Sequence, residues 1–282
     1  MRGILIVNHA LNGEKYSEQN RLYVDAANNL GIDLSIKTNA DVRPFDSDFV
    51  LFLDKDILYA RLLEQDGMRV FNSARSIALC DDKAMTYLAL RKAGISMPQT
   101  LIVPMTYFKT DWTDNPFVAY AAGMLGFPMI VKEACGSFGW QVWMVNNTQE
   151  LIGQLNQCSP KRVILQKYIS SSHGRDVRIN VVGGKAVASM YRYSDTDFRA
   201  NISSGGSMKL YRPNEKQIAV AVRACDALGL DFGGVDLLFG EQEEPILCEV
   251  NSNAHIKNIL TCTGINVAES ILAHIAHEVN KA

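Results

Sequence analysis

Two apolar, β-rich runs near the end of the chain, GVDLLF at 234–239 and PILCEVN at 245–251, flank a short polar loop, GEQEE. Runs of this kind separated by a few turn-forming residues pair as an antiparallel hairpin. Symmetric pairing about residues 242 and 243 sets Asp236 opposite Glu249, with β-carbons about 5 Å apart. Like charges so placed repel, and the apolar neighbours Val235, Leu237, Leu238, Cys248 and Val250 leave little water to screen them. The hairpin therefore needs a cation on that face. The alternative is an exposed polar face on which the two carboxylates stand unpaired or bridge to lysine. Asn251 follows Glu249 by two residues and projects from the same face, because strand side chains alternate. Two carboxylates and an amide oxygen suit magnesium, which takes a few protein oxygens together with substrate phosphates.

The rest of the chain supplies an α/β frame for this hairpin. Residues 3–8, 33–38 and 48–53 are β-rich runs. The first two enclose SEQNRLYVDAANNLG, with Ser17 as expected helix cap and Gly31 as stop, so the chain begins β-α-β. RVFNS reads as a strand and turn, DDKAMTYLALRKAG (81–94) as a helix, and SMPQTLIVP as an extended connection. A first boundary is expected near residue 80. Strands are expected at 128–132, 141–145, 163–168, 176–182 and 185–192, and helices at 116–125 and 148–156. Gly183-Gly184 between two strands signals a two-residue hairpin, since both positions need positive φ. Asn214 with Gln217, and Asn266 with Glu269, have capping-box spacing at the starts of two further helices. Ile218, Ala221, Val222, Cys225 and Leu228 form the buried stripe of the first, and Val267, Ile271, Ile275 and Val279 line one face of the second.

Several function classes lose support. Of 282 residues, 28 are Lys or Arg and 30 Asp or Glu, a net charge of -2, too balanced for a protein that coats nucleic acid or an anionic membrane. The longest uncharged stretch, 115–131, is shorter than the roughly 20 apolar residues a membrane span needs. The first residues fit neither a secretory signal nor a transit peptide, so the cytoplasm is the expected compartment. Six separated cysteines contain no C-x-x-C pair, and His274 and His277 have no third ligand nearby. G-x-S-x-G, H-E-x-x-H and the P-loop pattern are all missing.

The segments GGVDLLF, CEVNSN and HIKNILTCTGINVAESI resemble the magnesium-binding end of the ATP-grasp superfamily, most closely its RimK-type ligases. VILQKYI, GRDVRINVVGGKAVASMYR and FRANISSGG resemble that family's adenine hinge, the strand pair after it, and its acceptor-side loop. The motifs run in order from about Lys83 to Ile271. The resemblance implies an α/β (α+β) ATP-grasp fold: residues 1–80 as a small β-α-β leading domain and 81–282 as the grasp. The grasp's smaller lobe would span about 97–170 and its C-terminal lobe about 171–282.

Carried over residue by residue, the resemblance assigns Lys83 and Lys132 to ATP phosphates. Gln166, Lys167, Tyr168 and Ile169 fall on the adenine hinge, although the family usually has an acidic residue where Lys167 stands. Asp176 would hold the ribose hydroxyls, and Arg178, Arg192 and Arg199 would face phosphate or a substrate carboxylate, with Asn201 on the acceptor loop. A planar guanidinium fork suits such oxygens. A strict two-residue turn at Gly183-Gly184 would put Arg178 and Arg192 on opposite faces, so a bulge is needed to bring them together. Asp236, Glu249 and Asn251 would hold two magnesium ions, with manganese as a possible substitute. Independently, Lys132 precedes EACGSFGW, a glycine-bearing loop whose N–H groups could close over phosphates. Two departures border the acceptor pocket: Ser204 replaces a usual arginine, and Ala254-His255 replaces a usual proline and glycine.

The implied activity is ATP-dependent carboxylate-amine ligation through an acyl phosphate, joining an amino acid such as glutamate to a small-molecule or peptide acceptor. A peptide- or protein-tail-modifying ligase and a catalytically silent ATP-binding scaffold are the alternatives. ATP and amino-acid or peptide substrates are the expected partners, without nucleic acid or membrane, in a homodimer or homotetramer.

Overall fold

In the computed structural model, which describes residues 1–43, 45–136 and 140–281, three sheets carry the chain. The first holds β1 (Arg2–Val7), β2 (Asp33–Thr38), β3 (Phe49–Phe52) and β4 (Val70–Phe71), all parallel, in the order β2-β1-β3-β4. Parallel neighbours need crossovers. Here α1 (Glu14–Asn29) links β1 to β2, and α2 (Ile57–Gln65) links β3 to β4. The β-α-β beginning is present, but α1 starts earlier than Ser17 suggests: Gly13 is its cap, and the Ser17 N–H already donates to Gly13 O at 3.1 Å. Glu14 in the first turn complements the helix dipole where no side-chain cap exists.

The second sheet is antiparallel, β5 (Thr100–Ile102), β8 (Val163–Lys167), β6 (Met129–Glu133) and β7 (Val142–Val145) in that order. Its core packs Val131, Val145 and Leu165 against α5 (Pro116–Leu125) and α6 (Thr148–Cys158) through Val118, Leu125, Leu151 and Leu155. Both helices were expected. β5 was not, because Pro98 and Pro104 mask three residues that pair with the edge of β8.

The third sheet has the order β11 (Ser207–Leu210), β10 (Lys185–Tyr193), β9 (Arg175–Val182), β12 (Phe232–Phe239) and β13 (Pro245–Asn251). It is covered by α7 (Glu215–Leu228), whose capping box at Asn214 and Gln217 is formed in full. Ala221, Ala224, Cys225 and Leu228 pack on Val177, Ile179 and Val235, while Ile218 and Val222 sit at the rim of the stripe. The helix read at 81–94 is shorter: Asp82 accepts from the N–H groups of Ala84 and Met85, ending α3 (Ala74–Asp81) and capping α4 (Lys83–Lys92).

Two bulges set the sheet's working face. Gly183 (φ +53°) and Gly184 (φ +73°) make the two-residue turn. A register shift between Ala186 and Ala188 then puts Arg192 opposite Asp176 and Met190 opposite Arg178. Arg178 and Arg192 thereby share one face, which a strict register forbids. In the second hairpin Phe239 pairs with Pro245, one residue off the symmetric expectation. Cys248 is the extra residue of a bulge that restores Asp236 opposite Glu249.

One apolar core runs from the first sheet into the third, joining Leu5, Leu51 and Phe71 to Val182, Met190 and Phe232. It also takes in residues of α8 (Lys257–Thr263) and α9 (Val267–Asn280). Asn72, 1% exposed, ties these layers together. Its Oδ1 accepts from the N–H groups of Asp231 (2.8 Å) and Phe232 (3.3 Å), and its Nδ2 donates to the carbonyls of Phe232 (2.9 Å) and Ser252 (3.0 Å). Among the described residues, no single helix is long and apolar enough to cross a membrane. Asn72→Ala strands buried backbone groups on two segments, and is expected to lower unfolding free energy by about 2–4 kcal/mol, read from urea denaturation.

Candidate active site

Two cavities meet across the third sheet. The first lies between the second and third sheets and is lined by Lys83, Lys132, Tyr168, Asp176, Arg199 and Glu249 among others. Lys83 opens α4, and its Nζ donates to Gly136 O at 3.2 Å and lies 4.0 Å from Glu249 Oε1. Lys132, on β6, reaches across to Cys248 Sγ at 3.8 Å. Burial raises the Cys248 thiol despite this ammonium, so it stays protonated. Gln166, Lys167, Tyr168 and Ile169 form one wall at the end of β8. The Gln166 carboxamide is turned into the sheet, where Nε2 donates to Thr100 Oγ1 at 2.9 Å, so this side chain holds β5 to β8. Tyr168 Oη is hydrogen-bonded to His173 Nδ1. Arg199 is fixed on Asp197 (Nη2 to Oδ2, 2.8 Å).

The second cavity is bounded on one side by the first sheet and on the other by Arg178, Arg192, Asn251 and the 253–258 segment. Asn201 and Glu249 line both cavities. Behind their junction lies a buried ionic chain. Arg178 binds Asp236 through Nε and Nη2, both 2.7 Å, and Arg192 binds Asp176 the same way, again at 2.7 Å. Arg192 Nη2 also stands 2.9 Å from Asp236 Oδ2, closing a neutral set of two aspartates and two arginines. Arg192 is 3% and Asp236 4% exposed. Burial works against ionisation of Asp236, but two guanidiniums outweigh it and hold the carboxyl below its usual range. At Asp176 burial prevails over the single close partner, Arg192, and pushes the carboxyl up. Burial also opposes the charge on Arg192, but Asp176 and Asp236 together raise its pKa.

The positive charge that Asp236 demands is thus supplied by arginine. Among the described residues no three His, Cys, Asp or Glu side chains gather closely enough to hold a metal. A cation bound there would draw on phosphate and water ligands besides the protein's oxygens. The residues fit such a cation: Glu249 is partly exposed at the junction, and the Asn251 Nδ2 is buried with no partner among the described residues. A half-turn of that carboxamide replaces the orphaned donor with an oxygen, as a hard cation requires.

The fourteen residues singled out from sequence converge on this place. Arg178, assigned by resemblance to phosphate or a substrate carboxylate, lines the second cavity and not the first. Asp176, expected at ribose hydroxyls, lines the first cavity with its carboxylate engaged by Arg192. Ser137, Phe138 and Gly139 of the glycine-bearing loop lie outside the described residues. The motifs point to no site residue before Lys83, yet Asn8, Lys15, Tyr16, Asp54 and Lys55 line the second cavity. The signal was present: Asn8 and Asp54 directly follow β1 and Leu53, at the carboxyl ends of parallel strands where open α/β sheets bind ligands.

This architecture is that of the ATP-grasp ligases. The D-alanine–D-alanine ligase from Bacillus anthracis in complex with ATP matches it with a TM-score of 0.76 at 19% identity, covering 100% of this chain and 97% of that one. Residues 80–275 match the family described as RimK-like ATP-grasp domain. An uncharacterized protein of Mycoplasma pneumoniae is 34% identical over 270 residues, 92% of this chain and 93% of its own. A probable alpha-L-glutamate ligase of Maridesulfovibrio salexigens is 32% identical over 218 residues, 76% of this chain and 69% of its own. The chain belongs to the RimK-like ATP-grasp family, whose members are ligases that form carbon–nitrogen bonds.

His255 stands where the family resemblance leads one to expect proline or glycine, 5.7 Å from the Tyr16 ring. Burial, with Lys15 and Arg178 nearby, lowers its pKa from 6.5 to about 4. The folded protein therefore holds His255 neutral where the unfolded chain would protonate it, so stability present above pH 6.5 is lost as pH falls toward 4. Chemical denaturation across that window is expected to show the decline in the wild type and a shallower one in His255→Asn.

Proposed function

We propose that the protein activates a substrate carboxylate with ATP and joins it to an amine, one of the two substrates being an amino acid of the glutamate type. The observation that carries this reading is the meeting of the two cavities at Asn201 and Glu249. That shared wall would let a phosphoryl group held in the first cavity face an acid bound in the second.

Lys167, Tyr168 and Ile169 would take the adenine, with Lys83 and Lys132 on the phosphates and Arg199 at the same wall. Arg178 would orient the substrate carboxylate, while Arg192 holds Asp176 and Asp236 in place. Magnesium bound through Glu249 and Asn251, with Asp236 behind them, would neutralise charge developing on the β- and γ-phosphates. The carboxylate oxygen attacks the γ-phosphorus, and the bond to the bridging oxygen breaks, leaving ADP and an acyl phosphate. The amine then attacks the acyl carbon, phosphate departs with the former carboxylate oxygen, and the amine's proton is lost to give the amide. Positioning and electrostatics account for such chemistry without a nucleophilic side chain.

Purified protein given ATP, magnesium and mixed amino acids and carboxylic acids is expected to release ADP and phosphate only when both substrate types are present. Lys132→Met and Glu249→Gln should each lower kcat by about a hundredfold or more while the protein stays folded. Unchanged turnover in both variants would contradict the assignment.

A further inference from the structure

The second cavity has an acidic corner that phosphoryl transfer does not use. Asp54 is 7% exposed. Asn8 Nδ2 donates to both its oxygens (3.2 and 3.1 Å), and the Lys55 N–H donates to Oδ1 at 2.7 Å. All of these donors are neutral. The Lys55 ammonium is turned to Asp81, 2.6 Å away, and no cationic side chain lies in ion-pair range of Asp54 among the described residues. A carboxylate withdrawn from water with no cation is costly unless a ligand supplies one.

A second feature of the same wall points the same way. Asn253 donates its Nδ2 to Leu53 O at 2.7 Å and leaves Oδ1 buried with no donor among the described residues. Asp54, and Asn253 on the carbonyl just before it, thus carry acceptor oxygens that the described donors do not fully meet, and an ammonium ion offers three N–H groups. The remaining wall is mixed, with Glu249 among its cations and with Arg178 and Arg192 already paired to Asp236 and Asp176. Arg178, Arg192, Lys15 and Lys257 line it, and Lys15 and Arg178 both lie close enough to His255 to help keep it neutral. A dicarboxylate without an amine would meet repulsion from Asp54.

We propose that Asp54, positioned by Asn8 and flanked by Asn253, binds the ammonium group of an α-amino acid whose carboxylate turns toward Arg178, making the second cavity a zwitterion site. This assignment rests on the reading of that cavity as the substrate site. It gives the first sheet a direct part in substrate selection.

Isothermal titration calorimetry on the full chain, loaded with magnesium and a non-hydrolysable ATP analogue, tests it with each proteinogenic L-amino acid against the same acid lacking its α-amine. In the wild type at least one amino acid is expected to bind about tenfold to hundredfold more tightly than its des-amino counterpart, the worth of a charge-assisted contact. Asp54→Asn should remove that preference and leave affinity for the ATP analogue unchanged. Equal binding of the pair, no binding of any amino acid, or a preference that survives in Asp54→Asn would overturn the proposal. The wild-type comparison decides the matter even if the variant fails to fold. ADP release separates the two readings. Turnover with an amino-acid KM unchanged in Asp54→Asn overturns the ammonium site and leaves the ligase. Discriminating binding without turnover overturns the ligase and leaves the site.

Discussion

Everything at the junction of the two cavities depends on the closed chain of charge from Arg178 through Asp236 and Arg192 to Asp176. Four ionised groups withdrawn from water are tolerable only because each is matched, and removing one leaves a buried charge uncompensated at a cost of about 3–5 kcal/mol. The chain is an organiser more than a source of stability. It fixes two guanidiniums and two carboxylates to within hydrogen-bond geometry at the wall where the two cavities adjoin. Such groups assist phosphoryl transfer only if they need not reorganise during it.

Backbone irregularity makes this alignment possible. In a regular sheet Arg178 and Arg192 would face opposite sides, and Asp236 would slip out of register with Glu249. The shift at Ala186 to Ala188 and the extra residue at Cys248 correct both. The first sheet is held against this face by a shared apolar core and by Asn72, whose carboxamide serves backbone groups on two segments. The placement of Asp54 and Asn8 in the second cavity is a consequence of that docking.

Much of this was legible in the residues, and the exceptions have physical causes. Alternation and capping located most of the long elements, since periodicity and the Asn214–Gln217 box are local signals. The opposition of Asp236 and Glu249 was readable from the spacing of two runs, and the need for a bulge near Gly183-Gly184 followed from parity. The side-chain destinations were not readable. That Asp236 would be answered by arginine, that the Gln166 amide would turn to Thr100, and that Asp82 would cap a helix instead of extending it depend on tertiary neighbours. Short β5 and the contribution of the first sheet were missed for the same reason: their meaning lies in what they pack against.

If the second cavity takes the acid and the first the nucleotide, as proposed, their shared wall at Asn201 and Glu249 calls for oxygen transfer between carboxylate and phosphate. The most direct measurement is the fate of the label when the acid that supports turnover carries oxygen-18 in its carboxylate. Mass analysis of the products should find one labelled oxygen in each phosphate released, in step with amide formation. Phosphate free of label, or label carried on AMP, would contradict activation through an acyl phosphate.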